Sequence, residues 1–166
     1  MSRVSGTKAK NQTFATSRKL QKLEDRLNFK KEIAGIYQSA KYVYDFDKHG
    51  GTKATSIILS GPSLPLNAVI TRAFIVTETA LAGATATIDL EMAAANDMLA
   101  AEGVASFNAA GNIVDCIQDG AAGNMVLIDD EGQSSDPARK VVMTINTANL
   151  TAGKFHVHVE FIVTYK

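Results

Sequence analysis

The sequence predicts an all-β protein: a jelly-roll β-sandwich of about eight strands, preceded by an extended basic N-terminal arm with a short α-helix. From residue 36 onward, short apolar runs are separated by clusters of Gly, Pro and Asn. Several of these runs alternate apolar and polar residues with the period of a strand. This pattern favours a sandwich, with jelly-roll wiring as the leading choice. We therefore divide the chain into an arm, residues 1–35, and a body, residues 36–166.

The arm and the body carry opposite charge in a chain that is neutral overall. Residues 1–33 hold nine basic and three acidic side chains, a net charge of +6, and the rest of the chain holds 8 and 14, a net charge of −6. This asymmetry predicts that the arm lies on an acidic surface, such as a neighbouring subunit. The predicted subunit-binding residues of the arm are Arg3, Lys8, Lys10, Arg18, Lys19, Leu20, Leu23, Arg26, Leu27, Lys30 and Lys31.

A short helix is predicted within the arm, over about residues 17–34. Ser17 can cap its start, and Gly35 can end it. Leu20, Leu23 and Leu27 share one face at helical spacing. Such a short helix with a narrow apolar stripe is marginal in water, so we expect the leucines to pack on the body or on a second copy.

The first half of the body contains four predicted strands. A Tyr- and Val-rich strand over 36–46 is followed by a turn and a short strand over 56–59. Alternation over 68–79 is imperfect, so both faces of that strand are expected to be partly covered. The two faces of that strand are predicted as Ile70, Arg72, Phe74, Val76 and Glu78 against Val69, Thr71, Ala73, Ile75 and Thr77. Clean alternation over 85–93 points Ala86, Ile88, Leu90 and Met92 to the core.

The second half continues with shorter elements and a long final strand. Residues 96–102 are predicted as a single helical turn, and the apolar runs at 113–117 and 125–128 as strands. Residues 140–147 and 155–165 alternate and are predicted to form a hairpin. The length and regularity of the last strand predict a central position in its sheet.

Two groups of side chains could bind a metal. His156, His158 and Glu160 lie at i, i+2 and i+4 of one strand and therefore project from one face, as metal ligands of a cupin-like enzyme would. A further ligand from another strand is missing, which favours a polar row facing solvent or a subunit. Asp45, Asp47 and His49 resemble half of a calcium loop, but the required later ligands are absent and an Asp-rich turn explains them better.

The acidic run Asp129, Asp130 and Glu131 is predicted to be a solvated loop, and its functional interpretation is a docking patch for a basic arm.

No phosphate-binding loop and no nucleophile elbow is present, so we expect neither an enzyme nor a cofactor. The arm lacks interleaved aromatic residues and the body is acidic, which argues against nucleic acid as a partner.

Cysteine content and hydropathy also limit the possibilities. Cys116 is the single cysteine, which excludes an internal disulfide. No segment has the apolar length of a signal peptide or a membrane span. We therefore expect cytoplasmic synthesis and no membrane partner.

Three segments of the body resemble a type of structural domain found in tailed bacteriophages. These segments are SLPLNAVI at 63–70, TETALAGATATIDL at 77–90, and LTAGK at 150–154 before a closing strand that ends in Tyr165. They are similar to the L-P-x-x-A-V-I, T-x-A-x-x-G-x-A-T-I-x-L and L-T-A-G-K patterns of head decoration (cement) and head-fibre proteins. The resemblance covers about residues 57–166, excludes the arm, and concerns fold and hairpin geometry.

This resemblance implies a function. It implies a jelly roll, expected as a homotrimer, that is made in the host cytoplasm and binds the outer surface of a phage head. The implied partners are the major capsid protein and further copies of the chain. A neck or tail adaptor or fibre-type protein with the same fold is the alternative, and a metal-dependent cupin-like enzyme is a more remote one.

Overall fold

Two antiparallel sheets pack face to face in the computed structural model, which describes residues 36–92, 97–116, 127–128 and 139–164. The described strands are β1 (Gln38–Asp45), β2 (Ser56–Ile58), β3 (Ala68–Ala82), β4 (Thr87–Glu91), β5 (Leu99–Gly103), β6 (Ile113–Cys116), β7 (Leu127–Ile128), β8 (Val142–Asn146) and β9 (Ala152–Val163). A four-residue helix, α1 (Phe46–His49), follows β1, and a 3₁₀ turn (Val104–Phe107) follows β5. None of the described helical segments is long and apolar enough to cross a membrane.

The strand order is that of a jelly roll. Sheet A has the order β1-β9-β3-β6, with β7 also paired to β3, and sheet B has the order β2-β8-β4-β5. If β7 is left aside, each strand lies in the opposite sheet from the strand before it along the chain. The exception is β5, which lies in sheet B together with β4. The predicted all-β sandwich is therefore confirmed, and its wiring is that of a double-sheet jelly roll.

The buried face of each long strand follows the two-residue period. Along β9, Phe155, Val157, Val159 and Phe161 are buried, and their alternate neighbours are half-buried. The four residues over 85–93 that were predicted to face the core, in β4 and directly beside it, are also buried. As predicted, β9 lies at the centre of its sheet, between β1 and β3.

The hairpin predicted for residues 140–147 and 155–165 is wrong, and so is the hairpin geometry that the resemblance implied for residues 77–90. β3 and β4 belong to different sheets, and so do β8 and β9. Each connection crosses the gap between the sheets, and the two crossings lie side by side, where the Thr151 amide donates a 2.7 Å hydrogen bond to the Ala82 carbonyl. Alternation indicates that a strand buries one face, but two strands facing each other across a sandwich produce the same pattern as two neighbours in one sheet.

A β-bulge in β3 explains its imperfect alternation. Ile70 pairs with Phe161 and Arg72 with Glu160, so Thr71 is an extra residue, and its hydroxyl donates to the Glu160 carbonyl at 3.1 Å. The extra residue reverses which of the following side chains point to the core. Ile70 and Ala73 are therefore both buried, and the prediction that placed Ile70 on the same face as Phe74 is wrong.

The helical turn predicted over 96–102 is also wrong in its described part, because Leu99–Gly103 forms the edge strand β5. The Ala101 amide donates a 2.5 Å hydrogen bond to Asp89 Oδ1, and Ala101 has a positive φ of 51°. This side-chain contact from β4 competes with local helical hydrogen bonds and fixes the chain as an irregular strand.

Candidate interaction surface on the outer face of sheet A

The outer face of sheet A is the side turned away from the core. Its members include Lys41, Val43 and Asp45 from β1, Arg72, Phe74, Val76 and Glu78 from β3, Ile113 and Asp115 from β6, and Lys154, His156, His158, Glu160 and Ile162 from β9. The buried faces of these strands point the other way, into the core. All three residues of the predicted histidine set therefore lie on this one face.

Strand pairing arranges these side chains in rows across the sheet. One row runs Lys41, His158, Phe74 and Asp115 from the β1 edge to the β6 edge. The neighbouring row runs Val43, His156, Val76 and Ile113 in the same direction. Ile113 is 64% exposed, and the other three members of its row are half-buried. The face thus combines charged, aromatic and aliphatic groups.

Glu78 holds two basic groups from β9. Its Oε1 lies 2.8 Å from Lys154 Nζ, and its Oε2 lies 2.7 Å from His156 Nε2. The hydrogen bond from Lys154 lowers the pKa of Glu78, and the same bond raises the pKa of Lys154. The side chains of Glu78 and Lys154 are partly exposed, so this pair contributes little to stability.

The contact with Glu78 does not make His156 a cation at neutral pH. Desolvation by burial lowers the pKa of His156, and Lys41 lowers it further. The Glu78 carboxylate opposes this effect but is shared with Lys154. A neutral imidazole that donates its Nε2 hydrogen to Glu78 satisfies both groups.

His158 makes a different set of contacts. Its ring stacks on Phe74 with centroids 5.0 Å apart and planes inclined by 10°. The Arg72 guanidinium lies 4.9 Å from the Phe74 centroid and 3.3 Å from Asp115 Oδ1. His158, Phe74 and Arg72 thus form a layered cluster beside the β6 edge.

These contacts bear on the metal hypothesis. The ring centroids of His156 and His158 are 6.5 Å apart, in an edge-on arrangement. His156 is committed to Glu78, and the part of the chain that the structure describes contains no group of three His, Cys, Asp or Glu side chains able to hold a metal. The arrangement matches the alternative interpretation, a polar row on the outside of the sheet.

The calcium-like segment has a structural role at the end of β1. The Asp45 carboxylate caps α1 by accepting from the Asp47 amide at 3.2 Å. His49 Nδ1 accepts from the Asp45 amide at 3.0 Å, and its Nε2 lies 3.1 Å from the Ser60 hydroxyl. These side chains therefore build a capped turn, as the Asp-rich-turn interpretation requires.

The outer face of sheet B differs in character. Ser56 and Thr144 pair their hydroxyls at 3.2 Å, and Thr87 lies beside Thr147 at 3.4 Å. Asp89 accepts from the Asn146 amide group as well as from Ala101. Apart from Ile58, which is exposed on β2, this face is a ladder of hydroxyls and amides, the usual exterior of an antiparallel sheet in water.

Other predicted functional residues fall outside these two faces. The basic arm, its helix and the patch Asp129, Asp130 and Glu131 lie outside the described residues. Cys116 is buried at the end of β6, and desolvation raises the pKa of its thiol to about 12, which leaves it protonated at neutral pH.

The apolar side chains on the outer face of sheet A were not predicted as a site. The signal for them in the sequence was the imperfect alternation over 68–79, which places apolar residues on both faces of the strand.

Comparison with known proteins identifies the fold alone. No protein-family model and no curated protein matches the sequence. A chain in the capsid asymmetric unit of cyanophage Pam1 superposes with a TM-score of 0.55 at 17% identity, over 78% of this chain and 86% of that one. A chain in the capsid of Ralstonia phage GP4 gives 0.56 at 17% identity, over 80% and 88%.

Proposed function

We propose that this chain is a non-enzymatic structural protein of a tailed-phage virion, a decoration (cement) protein that binds the outer surface of the head as a homotrimer. One observation carries the proposal: the jelly roll spans nearly the full length of chains found in two phage capsids, at a TM-score above 0.5. The sequence resemblance to phage decoration and head-fibre domains points to the same class of protein. The proposed partners are the major capsid protein and further copies of the chain.

The arm supplies the proposed contact with the head. A basic, polar segment can spread over a large acidic surface when it binds. Three arms on one trimer raise the effective concentration for each further contact. We propose that arm residues such as Lys30 and Lys31 bind capsid subunits or the acidic patch Asp129–Glu131 of a neighbouring copy.

Cosedimentation of the full-length protein with heads that lack it tests this function. The wild-type protein is expected to pellet with the heads, and less so at high salt, because exposed charges are screened. Replacing Lys30 and Lys31 by Glu should weaken pelleting. The matched control replaces Lys48 and Lys53, which are exposed on the body, by Glu.

The two double variants carry the same change in net charge, so they separate a role of the arm from a general charge effect. Equal pelleting by both variants and the wild type would contradict the role of the arm. No pelleting of the wild type at low salt would contradict head binding itself.

A further inference from the structure

The two outer faces of the sandwich differ in what they present to water. Apart from Ile58, the outer face of sheet B is a hydroxyl and amide ladder, whereas that of sheet A carries Val43, Phe74, Val76 and Ile113 in adjoining rows. Ile113 is exposed and the other three are half-buried, and a contiguous apolar patch on a surface can mark an interaction site. This contrast raises the question of which partner covers the outer face of sheet A.

The charges on this face argue against a partner of a single sign. The face carries the basic groups Lys41, Arg72 and Lys154, and the acidic groups Asp45, Glu78, Asp115 and Glu160. These nearly balance, so the face offers little attraction to the +6 arm. A partner with the same balanced pattern, which is a second copy of this chain, fits it better.

The two edges of the face complement one another at equal height along the strands. In one row, Lys41 stands at the β1 edge and Asp115 at the β6 edge. In the next row, Val43 stands on β1, where Ser60 pairs with it on the side away from β9, and Ile113 stands at the β6 edge. Rotation about an axis parallel to the strands keeps each row at its height and brings the β1 edge of one copy to the β6 edge of the next.

We propose that the outer face of sheet A is the self-association surface of this protein, turned towards a rotation axis that runs along its strands. Lys41 of each copy then pairs with Asp115 of the next, and Ile113 of the next copy packs beside Val43 and the exposed Ser60 that pairs with it. The assignment deepens the proposed function, because it rests on the proposed homotrimer; it does not depend on binding to the head. It also covers Phe74 and Val76, which lie between the two edges.

Light scattering of the full-length protein, with Ile113→Glu and Ile58→Glu as a matched pair, tests the surface. Both isoleucines are more than half exposed, Ile113 on sheet A and Ile58 on sheet B, so neither change disturbs the core. The wild type is expected to form a homo-oligomer. Ile113→Glu should raise its dissociation constant at least about tenfold, and Ile58→Glu should leave the mass unchanged. A monomeric wild type, or an intact oligomer in Ile113→Glu, would overturn the proposal.

A charge exchange tests the orientation of the copies. Lys41→Glu and Asp115→Lys each place like charges together at the proposed contact, and the double variant restores an opposite pair. Each single variant should therefore dissociate more readily than the wild type, and the double variant should recover much of the lost association. Additive losses in the double variant would overturn the pairing of β1 with β6.

Cosedimentation with heads distinguishes this proposal from the proposed function. A monomer that still pellets with heads would contradict the surface and leave head binding intact. An oligomer with the expected response to substitution, but with no affinity for heads, would support the surface and contradict the function.

Discussion

Gly153 in β9 lies directly against Leu81 in β3, so close that a Cβ atom at position 153 would stand 2.8 Å from the Leu81 Cα. Gly153 also has a φ of +129°, a conformation that other residues rarely adopt. The contact lies where the crossings from β3 to β4 and from β8 to β9 run side by side. A residue without a side chain allows the two sheets to be joined twice at the same end of the sandwich.

Replacing Gly153 by Ala is expected to lower the free energy of unfolding by about 2–4 kcal/mol, because it adds backbone strain to a collision with Leu81. Two glycines serve as controls, and denaturant unfolding measures all three variants. Gly111 has a φ of +85° but open space around it, and Gly103 has open space and an ordinary φ of −76°. The expected order of destabilisation is Gly153, then Gly111, then Gly103; equal losses would contradict the role of the contact.

Tyr44 and Tyr37 form a matched pair for a second prediction. Tyr44 is fully buried and donates a 2.8 Å hydrogen bond to the Gly50 carbonyl, whereas Tyr37 is 73% exposed. Tyr44→Phe should cost about 1 kcal/mol of stability, and Tyr37→Phe close to none. Burial raises the pKa of Tyr44 to about 12, so the absorbance step near that pH should disappear in Tyr44→Phe only.

Acid should destabilise the body in part through His156. Its pKa in the folded protein lies below that of the unfolded chain, so the unfolded chain binds more protons as the pH falls. This contribution to stability is complete above the unfolded pKa of about 6.5 and is lost below it. His156→Gln should therefore lose less stability than the wild type between pH 7 and pH 5.5. Chemical unfolding at the two pH values measures this loss. An equal loss of unfolding free energy in the wild type and in His156→Gln would contradict the lowered pKa.

The contacts of His156 and His158 predict a protein whose stability does not depend on a metal. Chelation with EDTA should leave the melting temperature unchanged, and elemental analysis should find no stoichiometric metal. Bound metal that is lost on replacing both histidines by Ala would restore the cupin-like alternative.

The burial pattern of individual strands could be predicted because it depends on local periodicity. β9 and β4 show this well, since every second residue is apolar and the structure buries those residues. The partners of each strand could not be predicted in the same way. β8 and β9 alternate as hairpin strands do, and the sheet to which each belongs depends on contacts made far along the chain.

Two local errors have a common physical cause. Thr71 inserts a bulge and hydrogen-bonds to Glu160, and Asp89 holds the Ala101 amide. In both cases a hydrogen bond from a single side chain accompanies the irregular backbone. The periodicity of the sequence does not predict such a hydrogen bond. The histidine set was correctly predicted to lie on one face. Its neighbours Glu78 and Phe74 come from β3, and the pairing of β3 with β9 that brings them together could not be predicted from the sequence.

We propose that the chain coats the phage head, and its copy number in purified virions tests this proposal. Quantitative mass spectrometry would measure the molar ratio of this chain to the major capsid protein. Coating of the head predicts a ratio of the same order as that of a regular lattice component, with hundreds of copies in each virion. A handful of copies would contradict it and assign the chain to the neck or tail.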